Sequence, residues 1–278
     1  MIDQQYLLHI IENALQEDVN TGDITTICTV PAGTQITGRF LAKGEGVLCG
    51  TDVAKAVFAY VDGDIQLDFH FHDGDLLKRG DVIADIRGNA AAILTGERTA
   101  LNLMQHMSGI ATRTRATVEL VKDYDVKILD TRKTTPGLRM LEKHAVRVGG
   151  GHNHRFSLAD GILIKDNHIQ AAKGITNAVN AARRRAPFTL KIEVETETLA
   201  QVLEALDVKA DIIMLDNMTT EQMKEAVALI DHRAIVEASG NMAQRDIREV
   251  ASVGVDCISI GDLTNSVQPL DISLKLKI

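Results

Sequence analysis

The sequence predicts an α/β protein in which a strand-rich N-terminal domain precedes a series of parallel βα units. Short apolar runs recur after residue 125, and each run ends in polar or charged residues. Segments whose apolar residues have a helical period lie between these runs. Before residue 90, by contrast, Gly-Asp and Asp-Gly pairs mark closely spaced turns. Strands that alternate with helices favour a parallel sheet, because each helix carries the chain back to the edge where the previous strand began.

The N-terminal 20 residues are predicted to form an amphipathic helix. Its apolar positions Ile2, Tyr6, Ile10 and Leu15 lie near one face. This start has neither the basic residues nor the apolar stretch of a signal peptide. Residues 33–88 are predicted to form short strands separated by turns. Residues 89–124 have a helical period, and a break is predicted near Ser108 and Gly109.

Composition argues against several classes of function. The 278 residues carry a formal net charge of −8, which opposes general binding to nucleic acid or to a membrane surface. Hydrophobic residues make up 45% of the chain, enough for a sizeable core, but no apolar run is long enough to span a bilayer. The cysteines Cys28, Cys49 and Cys257 show no CxxC spacing. They are predicted to be reduced, buried thiols of a cytoplasmic protein.

Six apolar runs are the predicted strands of the parallel sheet. They are VKILDTRK (126–133), GILIKDNH (161–168), TLKIEVE (189–195), DIIMLDN (211–217), AIVEASG (234–240) and VDCISIGD (255–262). Polar groups at their C-terminal ends suit a barrel enzyme and equally an open doubly wound sheet. Six units are fewer than the eight of a full TIM barrel. Residues 267–278 alternate apolar and polar residues and are predicted to return as a strand to the N-terminal domain.

The segment from Thr131 to Lys165 is basic within an acidic protein. Its cations are Arg132, Lys133, Arg139, Lys143, Arg147, Arg155 and Lys165. Lys133 and Lys165 directly follow apolar runs, so they are expected at strand ends. Fixed cations that converge on one mouth would bind an anion with several negative groups, and guanidinium groups suit carboxylates or phosphates. The alternative is a solvated charged face without a ligand.

Two carboxylates, Glu195 and Asp216, end later strands, and Glu193 is expected on the same side of its strand as Glu195. They could hold Mg²⁺ on a phosphorylated substrate. They could also accept hydrogen bonds from sugar hydroxyls or stabilise positive charge on a sugar ring. Ion pairing with Arg or Lys remains the structural alternative.

The last two predicted strands end in the small-residue segments ASGN (238–241) and SIGDLTNS (259–266). Small residues let backbone N–H groups approach an anion, and barrels often bind phosphate at these two loops. His152 and His154 alternate in HNH, a pattern seen in some zinc sites. Because no third ligand is nearby in the sequence, donation to a carboxylate substrate is the preferred interpretation.

Together these segments resemble the quinolinate phosphoribosyltransferase family along nearly the whole chain. The resemblance is carried by GDITT (22–26), ERTALNLMQHMSGIAT (97–112), DTRKTTPGLRMLEKHAVRVGGGHNHRFSLADGILIKDNH (130–168), EVE (193–195), LDN (215–217), EASG (237–240) and GVDCISIGDLTNSVQPLDISL (254–274). The long central block is highly specific. Two departures lie in the phosphate loops: relatives usually carry His at the position of Asn265 and a second Gly at that of Asn241.

The resemblance implies an N-terminal α/β sandwich domain and an open, incomplete parallel α/β barrel. The expected boundaries are residues 1–110, completed by the strand 267–278, and residues 111–266. The implied reaction transfers phosphoribose from phosphoribosyl pyrophosphate to quinolinate with decarboxylation, a step of NAD biosynthesis. It gives nicotinate mononucleotide, CO₂ and pyrophosphate, with Mg²⁺ as the metal. A homodimer with shared active sites, or a higher oligomer, is expected.

The resemblance also assigns residues to substrates. Quinolinate is expected to meet Arg132, His154, Arg155 and Lys165, together with Arg98 of the neighbouring subunit. Lys133 is expected to contact the pyrophosphate-bearing substrate, with Thr131 beside it among the substrate-binding residues. Glu195 and Asp216 are expected to meet the ribose hydroxyls and, through the substrate, the metal; with Lys133 they form the predicted catalytic set. The 5-phosphate is expected at Ser239, Gly240, Asn241, Ile260, Gly261 and Asp262.

Three other interpretations remain open at this point. One is a sister group of the same fold that is associated with molybdate transport. Another is a nicotinate transferase, which needs fewer carboxylate partners than the many cations here would provide. The third, from a different class, is a non-catalytic anion-binding protein.

Overall fold

The computed structural model of the chain describes residues 2–277. The helices are α1 (Gln4–Val19), α2 (Ile24–Thr29), α3 (Thr51–Val61), α4 (Ala90–Leu120), α5 (Arg139–Val148), α6 (Asp166–Ala172), α7 (Ile175–Arg185), α8 (Leu199–Asp207), α9 (Thr220–Ile230), α10 (Ile247–Ser252) and α11 (Asp262–Asn265). The strands are β1 (Gln35–Ala42), β2 (Gly46–Val47), β3 (Gln66–Phe69), β4 (Leu76–Leu77), β5 (Val82–Asn89), β6 (Lys127–Leu129), β7 (Ile162–Ile164), β8 (Ile192–Thr196), β9 (Ile212–Asp216), β10 (Ile235–Ser239), β11 (Cys257–Ser259) and β12 (Ile272–Lys277).

The chain forms two compact units. The first unit comprises residues 1–115, 135–150 and 266–278, and the second comprises residues 116–134 and 151–265. The sequence places all of residues 111–150 in the barrel domain, whereas α5 groups with the first unit. Contacts explain the difference, because His106 on α4 lies 2.9 Å from Glu142 on α5 and Arg115 donates to the carbonyl of Gly149.

An antiparallel sheet with the order β12-β1-β5-β3 organises the first unit. The C-terminal strand β12 pairs along β1, with Gly38 opposite Leu276. Alternate residues of β1 are buried, as expected of a strand with one face on the core. On that face Phe40 packs edge-on against Phe58 of α3, with the ring centroids 6.1 Å apart.

Helix α3 was not predicted, because residues 33–88 were interpreted only as strands and turns. Its buried residues include Val53, Val57 and Phe58, spaced as one face of a helix. The helix lacks a side-chain cap at its own N-cap residue. The carboxylate of Asp73 replaces that cap by accepting the backbone N–H groups of Gly50 and Thr51 at 3.0 Å. A cap that comes from 22 residues away cannot be recognised from a local pattern.

Helix α4 corrects another expectation, since it runs unbroken from Ala90 to Leu120 instead of breaking near Ser108. Gly109 serves close packing. A Cβ atom at this position would lie 2.2 Å from the carbonyl oxygen of Gln268. The glycine therefore lets the segment that leads to β12 pass against the helix, and the sequence signal for a break reflects this contact.

The second unit contains a six-stranded parallel sheet with the order β6-β11-β10-β9-β8-β7. Each neighbouring pair is parallel, as in the register of Ser239 opposite Asp216. This architecture confirms the predicted α/β fold with an open, incomplete parallel barrel. Within residues 2–277, no helix is both long enough and apolar enough to cross a bilayer. The cysteines differ from expectation, because only Cys49 is buried, while Cys28 is exposed and Cys257 intermediate.

Candidate active site

A cavity of about 440 Å³ lies at the C-terminal ends of the parallel strands in the second unit. It is lined by Thr131, Arg132, Lys133, His154, Arg155, Leu163, Lys165, Glu195, Met214, Asp216, Asn217, Glu237, Ser239, Gly240, Asn241 and Ser259. The strands bring these residues together because the C-terminal ends of parallel strands meet at one edge of the sheet. Most of the candidate site residues therefore converge as the sequence predicts.

Four of the predicted cations line this cavity: Arg132, Lys133, Arg155 and Lys165. The Nε atom of Arg132 is buried and has no hydrogen-bond partner among the described residues. Burial lowers the pKa of Arg155, and the nearby charge of Arg132 lowers it further. An unpaired buried donor beside a second guanidinium favours an anion in the cavity.

The other three predicted cations do not belong to this part of the fold. Arg139, Lys143 and Arg147 lie on α5, in the first unit. The side chain of Lys143 is fully buried there. Of the seven cations in the basic segment, four therefore line the described cavity, and they are the four that the sequence analysis assigns to substrates.

The cavity carries an ion pair between Lys165 Nζ and Glu195 Oε2, which are 3.2 Å apart. Burial raises the pKa of the Glu195 carboxyl, Lys165 opposes this rise, and the nearby Asp216 adds to it. Asp216 ends the adjacent strand and accepts a hydrogen bond of 2.7 Å from the side chain of Asn217. Two carboxylates on adjacent strand ends are a donor set that suits Mg²⁺ bound to a substrate phosphate.

His154 lies on two buried carboxylates that the sequence interpretation did not use as site residues. Its Nε2 is 3.2 Å from Glu193 Oε2 and 3.5 Å from Glu237 Oε2. Its Nδ1 accepts the backbone N–H of Arg155 at 2.8 Å. Burial alone lowers the pKa of His154, but hydrogen bonds to the two carboxylates raise it well above its usual value. Burial also raises the pKa of Glu193.

The turn after β10 presents backbone at the cavity. Gly240 has φ of +90°, and a Cβ atom there would lie 2.6 Å from the backbone nitrogen of Asn217. Only glycine fits this conformation and this approach. The following Asn241 also has positive φ, 49°, and its side-chain amide donates to Asn217 Oδ1 at 3.1 Å. Asn241 therefore occupies a left-handed position for which asparagine is well suited.

The turn after β11 lies against the residues that follow β6. A Cβ atom on Gly261 would be 2.9 Å from Lys133 Cδ. Thr264 Oγ1 donates to the carbonyl of Lys133 at 2.8 Å. Ile260 is buried, and its N–H already donates to Leu129, so this N–H is engaged within the protein. Asp262 begins α11.

Arg98 is exposed on α4 of the first unit.

The sequence analysis did not assign five of the residues that line the cavity: Leu163, Met214, Asn217, Glu237 and Ser259. A strand period of two could have found two of them, since Met214 and Glu237 precede Asp216 and Ser239 by two positions and face the same side. Leu163 and Met214 are buried and give the cavity an apolar portion.

Two family models together match most of the chain. The model described as quinolinate phosphoribosyl transferase, N-terminal domain, matches residues 23–108, and the corresponding C-terminal domain model matches residues 110–275. The nicotinate-nucleotide pyrophosphorylase (carboxylating) of Mycobacterium leprae is 45% identical over 272 residues, covering 96% of this chain and 95% of that protein. Quinolinate phosphoribosyltransferase (decarboxylating) 1 of Nicotiana glauca is 41% identical over 286 residues, covering 96% and 81%.

Solved structures agree with the sequence comparison. The NadC protein of Streptococcus pyogenes superimposes with a TM-score of 0.94 at 43% sequence identity, covering 99% of each chain. The nicotinate-nucleotide pyrophosphorylase of Francisella tularensis gives a TM-score of 0.95 at 38% identity, covering 100% of this chain and 98% of the other. The likeness therefore extends over both compact units.

Proposed function

Because this chain belongs to the quinolinate phosphoribosyltransferase family, we propose how its residues divide the work of that reaction. The enzyme transfers phosphoribose from phosphoribosyl pyrophosphate to the pyridine nitrogen of quinolinate, with decarboxylation, in NAD biosynthesis. The products are nicotinate mononucleotide, CO₂ and pyrophosphate. One observation carries the division of roles: four cations, two strand-end carboxylates and a glycine turn line a single cavity.

Quinolinate binds to Arg132, Arg155 and Lys165 in this proposal. Its two adjacent carboxylates neutralise the repulsion between the guanidinium groups, and they give the buried Nε of Arg132 an acceptor. The apolar side chains of Leu163 and Met214 offer a surface for the ring. His154 helps to hold Arg155 in place and is not itself assigned to quinolinate, because both of its ring nitrogens already have partners within the protein.

The phosphoribosyl substrate binds along the other strand ends. Ser239, Gly240 and Asn241 present the turn after β10 to the 5-phosphate, with Gly261 and Asp262 of the next turn beside it. Lys133 and Thr131 contact the substrate that carries pyrophosphate. Glu195 and Asp216 meet the ribose hydroxyls, and they suit a metal held through the substrate.

Breaking the bond between ribose C1 and pyrophosphate builds positive charge on the sugar and negative charge on the leaving group. Glu195 and Asp216 stabilise the sugar, and Lys133 stabilises the pyrophosphate. Mg²⁺, when bound with the pyrophosphate, supplies further neutralisation of that group. The cations around quinolinate hold its nitrogen in position to attack. Loss of the neighbouring carboxylate as CO₂ leaves its electron pair on the ring carbon, where the adjacent positively charged nitrogen stabilises it. A proton from water then adds to this carbon and gives nicotinate mononucleotide.

A homodimer completes the proposed site. Arg98 of one subunit is assigned to the quinolinate site of its partner. Support comes from the family resemblance, and Arg98 is exposed on α4 of the first unit. The direct test of function is release of CO₂ from carboxyl-labelled quinolinate by the purified protein with phosphoribosyl pyrophosphate and Mg²⁺. No release above a protein-free control would overturn the assignment.

Quinolinate is expected to be used far better than nicotinate, which lacks one of the two carboxylates. A missing carboxylate leaves at least one cation of the cavity, such as the partly buried Arg132 or Arg155, without its partner. The expected cost is about 1–3 kcal/mol, or roughly 5- to 150-fold in kcat/KM. Steady-state kinetics with both acids under the same conditions measure this ratio. Equal kcat/KM values for the two acids would show that the cations do not contribute to recognition of the second carboxylate.

Gly261→Ala is expected to lower kcat without unfolding the protein. Gly261 does not have positive φ, and the added methyl would meet the flexible Lys133 side chain at Cδ, so Lys133 shifts away from the leaving group. Loss of one well-aimed charge corresponds to about tenfold or more in rate. The control is Gly63→Ala, where a methyl meets nothing within 4 Å. An unchanged kcat at normal stability would remove Lys133 from the chemical step.

A further inference from the structure

The segment 152–155, which carries His154 and Arg155, contains no helix and only a single isolated β-bridge. Buried acids fix it nevertheless. Asp130, fully buried after β6, accepts the backbone N–H of His154 at 2.9 Å and the side-chain amide of Asn153 at 2.6 Å. An irregular segment tied to a buried carboxylate can hold its side chains as firmly as a regular element.

Two further buried carboxylates hold the same segment from the opposite strands. Glu193 on β8 is 4% exposed and Glu237 on β10 is 2% exposed. Each directs one oxygen at His154 Nε2, at 3.2 Å and 3.5 Å. Their other oxygens, Oε1 in both cases, are buried without a hydrogen-bond partner in the described part of the chain. Such burial is costly, and packing alone would be served better by apolar residues.

The orientation of the His154 ring decides what this cluster can do. Nδ1 accepts the N–H of Arg155, so the ring proton lies on Nε2 and is directed at the carboxylates. A metal ion would need the lone pair of Nε2, which this arrangement does not offer. The geometry of the cluster therefore fits a hydrogen-bonded support for the segment.

The hydrogen bonds of this cluster extend to Arg155, a cation that lines the cavity. The backbone N–H of Arg155 is held by the His154 ring, and its guanidinium Nη1 donates to the carbonyl of Gly161 at 3.1 Å. The charge of Glu193 also offsets the repulsion of Arg132 on Arg155. Removing either carboxylate would take one hydrogen-bond partner from the His154 ring. Removing Glu193 would also increase the net repulsion between Arg132 and Arg155.

We propose that Glu193 and Glu237 are positioning residues for the dicarboxylate substrate, acting through His154 to hold Arg155 at the cavity. This rests on the proposed assignment of Arg155 to quinolinate. The role is selective, because it passes through the segment 152–155, and the phosphoribosyl substrate is assigned to residues outside that segment. A merely structural role would not be selective, since β8 also carries Glu195 and β10 also carries Ser239.

The test uses Glu193→Gln and Glu237→Gln in the full-length enzyme, with benzene-1,2-dicarboxylate as an unreactive probe. Calorimetry measures probe binding, and kinetics give KM separately for quinolinate and phosphoribosyl pyrophosphate. We expect probe affinity and quinolinate KM to worsen by about tenfold, and the other KM to stay within about twofold. The matched control is Glu225→Gln on the exposed face of α9, which should match wild type.

A double-mutant cycle with His154→Gln tests the route of the effect. Once His154 is replaced, Glu193→Gln should weaken probe binding little further, because the group through which it acts is gone. Fully additive losses, or equal losses for both substrates, would overturn the proposal. If the Glu variants do not fold, His154→Gln alone must still show the selective loss. If Arg155→Ala binds the probe like wild type while activity on quinolinate persists, the assignment of Arg155 fails instead, and the proposal with it.

Discussion

Two inactive variants, Arg98→Ala and Lys133→Ala, are expected to restore activity to each other when their subunits exchange. Lys133 lines the cavity of its own subunit, whereas Arg98 is assigned to the cavity of its partner. Each homodimer then lacks one essential cation at both sites. A mixed dimer places both defects in one site and leaves the other site complete.

Random pairing sets the size of the effect. Equal amounts of the two variants give mixed dimers in about half of all pairs, and one of the two sites in each is intact, so activity should approach roughly a quarter of wild type per subunit. This is a rise from nearly nothing, because an unpaired or missing cation in a closed site affects binding and catalysis together. Initial rates of CO₂ release after mixing measure it.

The matched control mixes Lys133→Ala with Arg132→Ala. Both residues line the same cavity of one subunit, so every site in the mixed dimer lacks one of them and activity should stay low. Mass spectrometry must show subunit exchange in both mixtures. If Arg98→Ala and Lys133→Ala exchange subunits and remain inactive, Arg98 serves its own subunit or only the fold.

The candidate site was predictable where strand ends carry it. Lys133, Lys165, Glu195 and Asp216 each follow or end an apolar run, and parallel strands must bring such positions to one edge. A local pattern together with one topological rule is sufficient for these residues. For His154 the pattern alone favoured donation to a carboxylate substrate over a metal ligand, and the family resemblance implied that the carboxylate is quinolinate.

Other features depend on contacts that no local pattern records. The N-terminal cap of α3 comes from Asp73. Gly109 needs to be glycine because the backbone of Gln268 passes too close for a side chain. Glu193 and Glu237 are acids inside apolar strands, and only their convergence on His154 explains how they can be buried. Long-range geometry decides each of these cases, so sequence reasoning reaches them only after the fold is known.

Glu195→Ala and Asp216→Ala are expected to lower kcat by about a hundredfold or more each, with smaller changes in KM. In the proposed arrangement both carboxylates meet the ribose, on which positive charge develops, and charge that appears only in the transition state affects kcat. Glu195→Ala also releases Lys165 from its ion pair, 3.2 Å away in the free enzyme. Lys165 is then free to meet quinolinate, so the KM for quinolinate should not rise in this variant.

The isosteric variants Glu195→Gln and Asp216→Asn separate charge from shape. If the negative charge of these carboxylates stabilises the transition state, the amide variants should be nearly as slow as the alanine variants while keeping wild-type stability.

Removing Mg²⁺ with a chelator should abolish wild-type activity, and adding Mg²⁺ back should restore it. The two carboxylates are close enough for Asp216 to raise the pKa of Glu195, so the double variant should lose less than the product of the single losses. Intact kcat in the amide variants would instead assign both carboxylates to ion pairing with the cations of the cavity.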